Sequence, residues 1–529
     1  MYRKDGVMRK GYEKKYESRI PKENYPDTGA EQLEALKSSK QLEEFHKYRE
    51  AMKDLPCMPS YHFWAPDGKI NDPNGLCFWK GRYHLFYQAY PPADPRQHWG
   101  HAVSDDMIHW KDLPLAIYPD IEYAVFSGSS LVEEDRVIAM YHGFGIGNMI
   151  ATSSDPLLLN WEKNENCPVI PHIEASVEGK PYRIFDPFLW KEENGYYALS
   201  GSYYGGENDR HTGHNNVPVE HLFFSQDLSE WTYIGELSPI GFPQEGWGND
   251  GACPYFWPIG NHGKYLFFHF SHQTGSHCFL GSYDKVTHHF TPEKHIHFCH
   301  GPVGCSSYQA PCLTPDGSGG LYLIYNTTDA DMTLKRQGAM TVMHHVTTDE
   351  QDNICIQPVK QIESLHTEHY TAQSLKLDAF KQTKLDFSGR ELDIHMKLHL
   401  SDARGLTLKV LASDNSCEHT DINLYRSRRK RGEEVVSMFS AVIDTTYSSV
   451  SPDAEGRQPE VVQVPDVSDD MLDVRILVDR CMVEVFVNGR ITIMQMMYPS
   501  ESSTGIFLEA LGHDVMIDEL DIWKMSSIY

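Results

Sequence analysis

The sequence predicts an all-β chain: a β-propeller of repeated four-stranded blades, then a second β-domain, with a short helical extension in front. Three observations carry this reading. Aromatic residues make up 12% of the 529 residues, beside 39 glycines and 30 prolines, a turn-rich composition that suits strands better than helices. A Ser-x-Asp…aromatic pattern recurs along the first two thirds of the chain. The hydrophobic period changes twice, from helical to strand-like near His62 and to clean alternation after Tyr370. The length alone favours two or three domains.

Residues 1–57 form the predicted extension. Lys, Glu and Arg are dense up to Glu23. Thr28 and Glu31 have capping-box spacing. Leu33, Leu36, Leu42, Phe45, Tyr48 and Met52 then recur at helical intervals and stop near Pro56. One amphipathic helix is expected, packed on the main body or on a second copy of the chain. Residues 58–350 hold the repeat: Ser104-Asp105-Asp106…Trp110, Ser153-Ser154-Asp155…Trp161, Ser225-Gln226-Asp227…Trp231 and a fainter Ser282-Tyr283-Asp284…Phe290. The closing aromatics fall roughly 50–70 residues apart, which suits blades carrying insertions. Residues 351–370 read as a polar linker. Residues 371–529 alternate, as in Leu392-Asp393-Ile394-His395-Met396-Lys397-Leu398, the pattern of half-buried strands. The basic run from Arg426 to Arg431 reads as an exposed hairpin loop.

A formal charge of −27 argues against nucleic acid or an anionic membrane as a partner. No apolar run is long enough to span a bilayer, and Met1 to Asp5 lacks the apolar core of a signal peptide. Eleven cysteines, an odd number without close pairing, suggest reduced thiols and a cytoplasmic location. His269, His272, His277, His295, His297 and His300 cluster, but without a closed ligand set, and Cys299, Cys305 and Cys312 lack Cys-x-x-Cys pairing. No metal site and no cofactor are expected. Gly143-Phe144-Gly145-Ile146-Gly147 reads as a tight blade turn, and nothing marks a nucleophilic serine.

The richest stretch is His62-Phe63-Trp64, followed by Asn71-Asp72-Pro73-Asn74-Gly75. By itself the latter is an Asx-turn opening a hairpin. It is followed in order by Phe86-Tyr87-Gln88, Trp99-Gly100-His101 and Phe126-Ser127-Gly128-Ser129. Together these resemble the invertase and fructanase family of glycoside hydrolases, glycoside hydrolase family 32, from about His62 to the C-terminus. The resemblance implies a five-bladed propeller and, through Val474–Phe486 and Gly505–Ala510, a C-terminal β-sandwich. It implies a carbohydrate substrate and a retaining attack on a β-fructofuranoside or related furanoside, with Asp72 as nucleophile and Asn71 orienting the sugar. Gln88, Trp99, Phe126 and Ser127 become substrate contacts. Asp186, in Arg183-Ile184-Phe185-Asp186-Pro187, matches the family's Arg-Asp-Pro aspartate, which stabilises the transition state. Phe185 stands where the family has Arg, and Arg183 is the candidate replacement.

Retaining cleavage also needs an acid to protonate the departing oxygen. The family's Glu-Cys-Pro reads Ala252-Cys253-Pro254 here, and alanine transfers no proton. Three readings stay open: Asp250 has taken the role, Ala252 is an introduced change, or the chain no longer hydrolyses glycosides. Asp250 would need burial against Trp247, Tyr255 or Phe256 and repulsion from Asp72 to stay protonated. Glu245 and Asp227 are outside candidates. A binding propeller that has lost its acid and a fructosyl transglycosylase are therefore carried beside the hydrolase. The second β-domain is expected to be structural, and it or the extension could join copies of the chain.

Overall fold

The computed structural model describes residues 13–172, 182–204, 216–238, 250–303, 307–327, 338–432, 434–454 and 456–529. They fall into two compact units: 1–51 with 64–296 and 309–326, and 52–63 with 297–308 and 327–529.

The first unit is a succession of antiparallel meanders. β1 (Lys69–Trp79), β2 (Arg82–Tyr90), β3 (His98–Ser104) and β4 (Lys111–Ile117) make one sheet. β5 (Val125–Val132), β6 (Val137–Gly143), β7 (Gly147–Ser153) and β8 (Glu162–Lys163) make the next, with β9 (Ile170–Pro171) also on β7. β10 (Pro187–Glu192), β11 (Gly195–Tyr204), β12 (Val217–Ser225) and β13 (Thr232–Glu236) follow, then β14 (Ala252–Ile259), β15 (Lys264–Ser271), β16 (Gly275–Asp284) and β17 (His289–Ile296). The first strand of each sheet packs on the first strand of the next, β1 on β5, β5 on β10 and β10 on β14. That succession is the propeller plan.

The Ser-x-Asp repeat is the turn between third and fourth strands. Ser104, Ser153 and Ser225 end β3, β7 and β12, and their hydroxyls donate to Asp106, Asp155 and Asp227 at 3.0, 3.0 and 3.3 Å. Each aspartate then accepts backbone N–H groups ahead of it: Ile108 and His109, Leu157, Leu159 and Asn160, and Ser229 and Glu230. Asp284 does the same for Val286 and Thr287. The carboxylate replaces ladder bonds that the turn cannot make. It also stabilises a left-handed residue in each turn, Met107, Leu158, Leu228 and His288.

β18 (Cys299–His300), β19 (Tyr308–Pro315), β20 (Leu321–Thr327), β21 (His344–Thr348) and β22 (Ile354–Pro358) come next. A fifth turn of the same kind joins β21 to β22, where Asp349 accepts from Gln351 and Asn353, each at 2.9 Å. The sequence pattern missed it because Thr347 stands where the other turns have serine and no aromatic residue follows Asp349 at the closing offset. Residues 351–370, read as a linker, instead carry β22, a 3-10 helix Lys360–Leu365 and the start of β23 (His366–Leu377). Ile354, Ile356, Ile362 and Leu365 are buried there; the surrounding polar residues hid a short apolar alternation.

The rest of the second unit is β24 (Gln382–Ser388), β25 (Glu391–His399), β26 (Gly405–Ala412), β27 (Thr420–Arg431), β28 (Glu434–Asp444), β29 (Val462–Val464), β30 (Met471–Asp479), β31 (Met482–Val487), β32 (Ile491–Met496), β33 (Gly505–Leu511) and β34 (Val515–Met525). They form a seven-stranded sheet, β18-β32-β31-β30-β25-β34-β23, and a six-stranded sheet, β24-β33-β26-β27-β28-β29. Leu392, Ile394, Met396 and Leu398 of β25 share one core with Leu406, Leu408 and Val410 of β26, so inward residues of two sheets interdigitate as in a sandwich. The basic run expected as a loop is the end of β27. Arg426 pairs with Asp470 at 2.6 Å and Arg428 with Asp402 at 2.9 Å, and Gly432, at φ +64°, makes the turn to β28.

The extension folds as two helices rather than one, α1 (Gly29–Leu36) and α2 (Lys40–Met52). Thr28 caps α1 by accepting from the Glu31 N–H. The chain turns at Lys37–Ser39, because a single helix would carry Leu36 and Leu42 to different faces. Both pack on their own propeller. Leu36 and Leu42 meet Val103, Leu113, Leu157 and Leu159, and Arg49 bonds Asp112 through Nε at 2.5 Å and Nη2 at 2.6 Å. Leu33 faces outward, 48% exposed, whereas Gln32 is fully buried, joined to Asp155 at 2.8 Å and to the Leu157 N–H at 3.1 Å.

Candidate active site

Asp72 lies inside the innermost strand of its sheet. Pro73 offers no N–H and Gly75 sits at φ +52°, so β1 loses register with β2 on both sides of Pro73-Asn74. Such bulges re-aim side chains. A Cβ on Gly75 would stand 3.1 Å from both Phe86 and Trp99, which explains the glycine. β5 slips at Val125/Gly128 and β14 at Ala252/Tyr255, where Cys253 holds φ +46°. These interruptions turn Ser127 and Cys253 toward the same region as Asp72.

The Asp72 carboxylate is half-buried, and three buried donors hold it. Ser127 Oγ and Gln88 Nε2 (3.2 Å) donate to Oδ2; Asn326 Nδ2 donates to Oδ1 at 3.0 Å. Gln88 also donates to Ser127 Oγ at 2.8 Å. Asn71 donates to Gln88 Oε1 at 3.2 Å and to the Tyr90 hydroxyl at 3.4 Å. Asn74 locks the strand, donating to the Asp72 carbonyl at 2.9 Å and accepting from the Gly128 N–H at 3.1 Å. Burial and the negative charge of Asp72 push the Tyr90 phenol up to about 12, so it stays protonated. Asn326 and Tyr90 were not anticipated. Tyr90 was findable two residues beyond Gln88 on the same strand face; Asn326, more than 200 residues away, carries no local signal.

Asp186 immediately precedes β10 and is buried. Its Oδ2 accepts from the Cys253 N–H at 3.2 Å and from Cys253 Sγ at 3.6 Å. Asn74, Ser127, Asp186, Cys253 and Tyr255 line one crevice, so the hydroxyl that touches Asp72 and the second carboxylate face the same space. Burial raises Tyr255 well above a normal phenol, and its hydroxyl bonds Cys312 at 3.1 Å.

Several expected residues stand elsewhere. Trp99 has no exposed surface; it stacks on Phe86, with ring centres 5.6 Å apart, and its indole N–H donates to the Phe126 carbonyl at 2.9 Å. It supports β5 and offers no face to a sugar. Phe126 is half-buried and stacks on Phe144 at 4.9 Å. Arg183 lies over the Tyr203 ring at 5.3 Å, the ring on which Phe185 also stacks, so both stand on the face opposite the Asp186 side chain, as alternation in an extended segment requires. Asp227 is held in its blade turn. Asp250 is 1% exposed, with Oδ1 accepting from the His272 N–H at 3.1 Å and Oδ2 bonded to His272 Nδ1 at 2.7 Å. Both Asp250 oxygens are thus engaged by His272, and Asp250 is not among the residues that line the crevice. Trp247 and Glu245 lie outside the described residues. Sequence reasoning also missed Glu220 of β12, buried and bonded to His269 Nδ1 at 3.0 Å. The histidine cluster is tied up in such pairs, with His277 and His295 joined at 3.0 Å. Among the described residues no three potential ligands converge on a metal position.

Residues 62–358 match the profile of the glycosyl hydrolases family 32 N-terminal domain, and residues 361–524 match the family 32 C-terminal profile. The chain belongs to glycosyl hydrolase family 32. This family 32 chain is 26% identical over 513 residues to a sucrose-6-phosphate hydrolase of Zymomonas mobilis, covering 88% of this chain and 92% of that protein. It is 25% identical over 518 residues to a levanase of Bacillus subtilis, covering 89% and 71%. Its fold is that of fructan 1-exohydrolase IIa from Cichorium intybus (TM-score 0.75, 20% identity, 89% of this chain and 98% of that one). The family 32 chain is thus a glycoside hydrolase built as a five-bladed propeller followed by a β-sandwich.

Proposed function

We propose that this chain hydrolyses β-fructofuranosides with retention, through attack of Asp72 on the anomeric carbon while Asp186 stabilises charge on the ring. The observation that carries the assignment is the setting of Asp72: a half-buried carboxylate with both oxygens fixed by Gln88, Ser127 and Asn326, of which Ser127 lines a crevice together with a second aspartate. Fixed donors keep the attacking oxygen in one place, which lowers the cost of reaching the transition state. Asn71, bonded to Gln88, and Phe126, next to Ser127 in β5, are the proposed sugar contacts. Catalysis is assigned to the propeller and a structural role to the sandwich. A cytoplasmic location is supported by the free thiols of ten described cysteines.

The test is hydrolysis of an aryl β-fructofuranoside, sucrose and inulin by the wild type and by Asp72→Ala. The variant is expected to lose about 10,000-fold or more in kcat on every substrate that the wild type cleaves, while remaining folded by circular dichroism. Retained activity in the variant would remove Asp72 from the mechanism.

A further inference from the structure

The chain ahead of residue 62 lies outside the family 32 profiles, and part of it runs beside the segment that leads into β5. The Tyr16 N–H donates to the Asp120 carbonyl at 2.7 Å and the Ser18 N–H to the Pro119 carbonyl at 3.0 Å. Arg96 ties the two stretches together. Its Nη1 donates to the Tyr16 carbonyl at 2.8 Å and to the Tyr123 carbonyl at 3.4 Å, and its Nε pairs with Asp94 at 2.8 Å. Tyr16 and Tyr123 meet edge to face, with ring centres 5.5 Å apart.

Two more rings continue the row. Phe144 stands in the tight turn between β6 and β7, and its N–H donates to the Ala124 carbonyl at 3.0 Å. Tyr123 lies 6.1 Å from Phe144, and Phe144 stacks on Phe126 at 4.9 Å. Gly145, at φ +85°, has open space where a Cβ would stand. Tyr16 is 38% exposed, and Tyr123 and Phe144 are each 47% exposed. Adjoining exposed apolar groups of this kind mark ligand grooves or interfaces. The row ends at the active site. Phe126 precedes Ser127, whose hydroxyl donates to Asp72. The Val125 N–H donates to the Gln97 carbonyl at 2.9 Å, and Gln97 Nε2 donates at 3.0 Å to the Tyr90 hydroxyl, which also accepts from Asn71 at 3.4 Å. Two separate routes thus fix residues 123–126 against the groups around the nucleophile.

On the fructofuranosidase reading above, we infer that Phe144, Tyr123 and Tyr16 bind the leaving part of an oligomeric fructoside, which makes a fructan chain a better substrate than sucrose. The face of an aromatic ring is the negative end of its quadrupole, and it attracts the polarised C–H bonds on the face of a sugar. The fructosyl unit attacked by Asp72 meets Phe126, and the units that follow it lie on Phe144 and the rings beyond. A single file of rings that starts beside the nucleophile fits a chain-like sugar, whereas a protein interface is built around a broad apolar centre. Tyr16 comes from the extension, so this preference belongs to the chain and not to the family profile.

The experiment measures kcat and KM on sucrose and inulin for the wild type, Tyr16→Ala, Tyr123→Ala, Phe144→Ala and Tyr123→Phe. Each Ala variant is expected to lose about 2–12-fold in kcat/KM on inulin, mostly as a higher KM, and less than about twofold on sucrose. Tyr123→Phe keeps the ring and should keep the wild-type KM on inulin. An equal loss on both substrates, or no loss on inulin, overturns the assignment. So does a wild-type dimer that the Ala variants dissociate at unchanged KM, read by light scattering, which would make the row an interface between copies. Inulin binding to Asp72→Ala, with and without Tyr123→Ala, is measured by calorimetry. Binding weakened by the second substitution upholds the row even where the wild type cleaves no fructoside, which separates this proposal from the fructofuranosidase reading; no binding to either protein overturns it.

Discussion

At the scale of single residues the site depends on buried amides that hold one carboxylate. Asn326 and Gln88 each give one hydrogen bond to Asp72, and a bond to a charged acceptor is worth about 1.5–3 kcal/mol. Asn326→Ala should therefore lower kcat roughly tenfold to 150-fold with little change in KM, because the ring contacts remain. A proportional rise in KM with unchanged kcat would assign Asn326 to sugar binding instead. Gly75 is a different kind of residue: its backbone is left-handed and a Cβ would press on Phe86 and Trp99. Gly75→Ala is expected to cost about 1–3 kcal/mol in stability, read as a lower denaturation midpoint.

At the scale of elements, the blade turns share one design but not one energy. Asp155 is buried and serves Leu157, Leu159, Asn160 and, from α1, Gln32. Asp284 is exposed and serves Val286 and Thr287. A buried donor left unpaired costs about 1–3 kcal/mol, whereas an exposed one turns to water. Asp155→Ala should therefore destabilise by roughly 3 kcal/mol or more and Asp284→Ala by less than about 1 kcal/mol, measured by urea unfolding of both. Equal losses would mean that the turn geometry, rather than burial, sets the cost. The repeat was readable because the aspartate must stand at a fixed offset from the strand end. The buried Gln32 was not, because a polar residue on a helix reads as solvent-facing until its partner is known.

At the scale of the molecule, the second unit carries its own pH dependence. His62 lies fully buried between Asp479, at 2.8 Å, and Glu484, at 2.9 Å, and Glu484 also meets His344 at 2.6 Å. Burial opposes the His62 charge, but the bonds to Asp479 and Glu484 prevail and raise it to about 9. Burial likewise opposes the Glu484 charge, and the charge of His344 with the two histidine bonds lowers it to about 2. A raised histidine stabilises fully below its unfolded value of about 6.5, and that contribution is lost as pH rises through about 9. A depressed carboxyl stabilises above about 4.3, and its contribution is lost as pH falls through about 2. The stability of this unit should thus be highest between about pH 4.5 and 6.5 and fall toward pH 9, by an amount on the order of 3 kcal/mol, read as a falling thermal midpoint. Glu484→Gln removes one of the two anions and should flatten the alkaline fall; an unchanged slope would show that His62 is not its source.

The sequence by itself determined the all-β architecture and the family, and it marked Asp72 as the candidate nucleophile, because strand period, turn chemistry and a bulged Asn-Asp-Pro-Asn-Gly are local and leave local marks. It also exposed the missing acid at position 252. What only the tertiary structure decided was which distant groups meet. Asn326 reaches Asp72, Trp99 turns into the core, Asp250 turns inward to His272, and Gln32 docks on Asp155. Each of these depends on how strands far apart in the chain are laid side by side, and a side chain's exposure and partners are properties of that arrangement, not of its own neighbours in sequence.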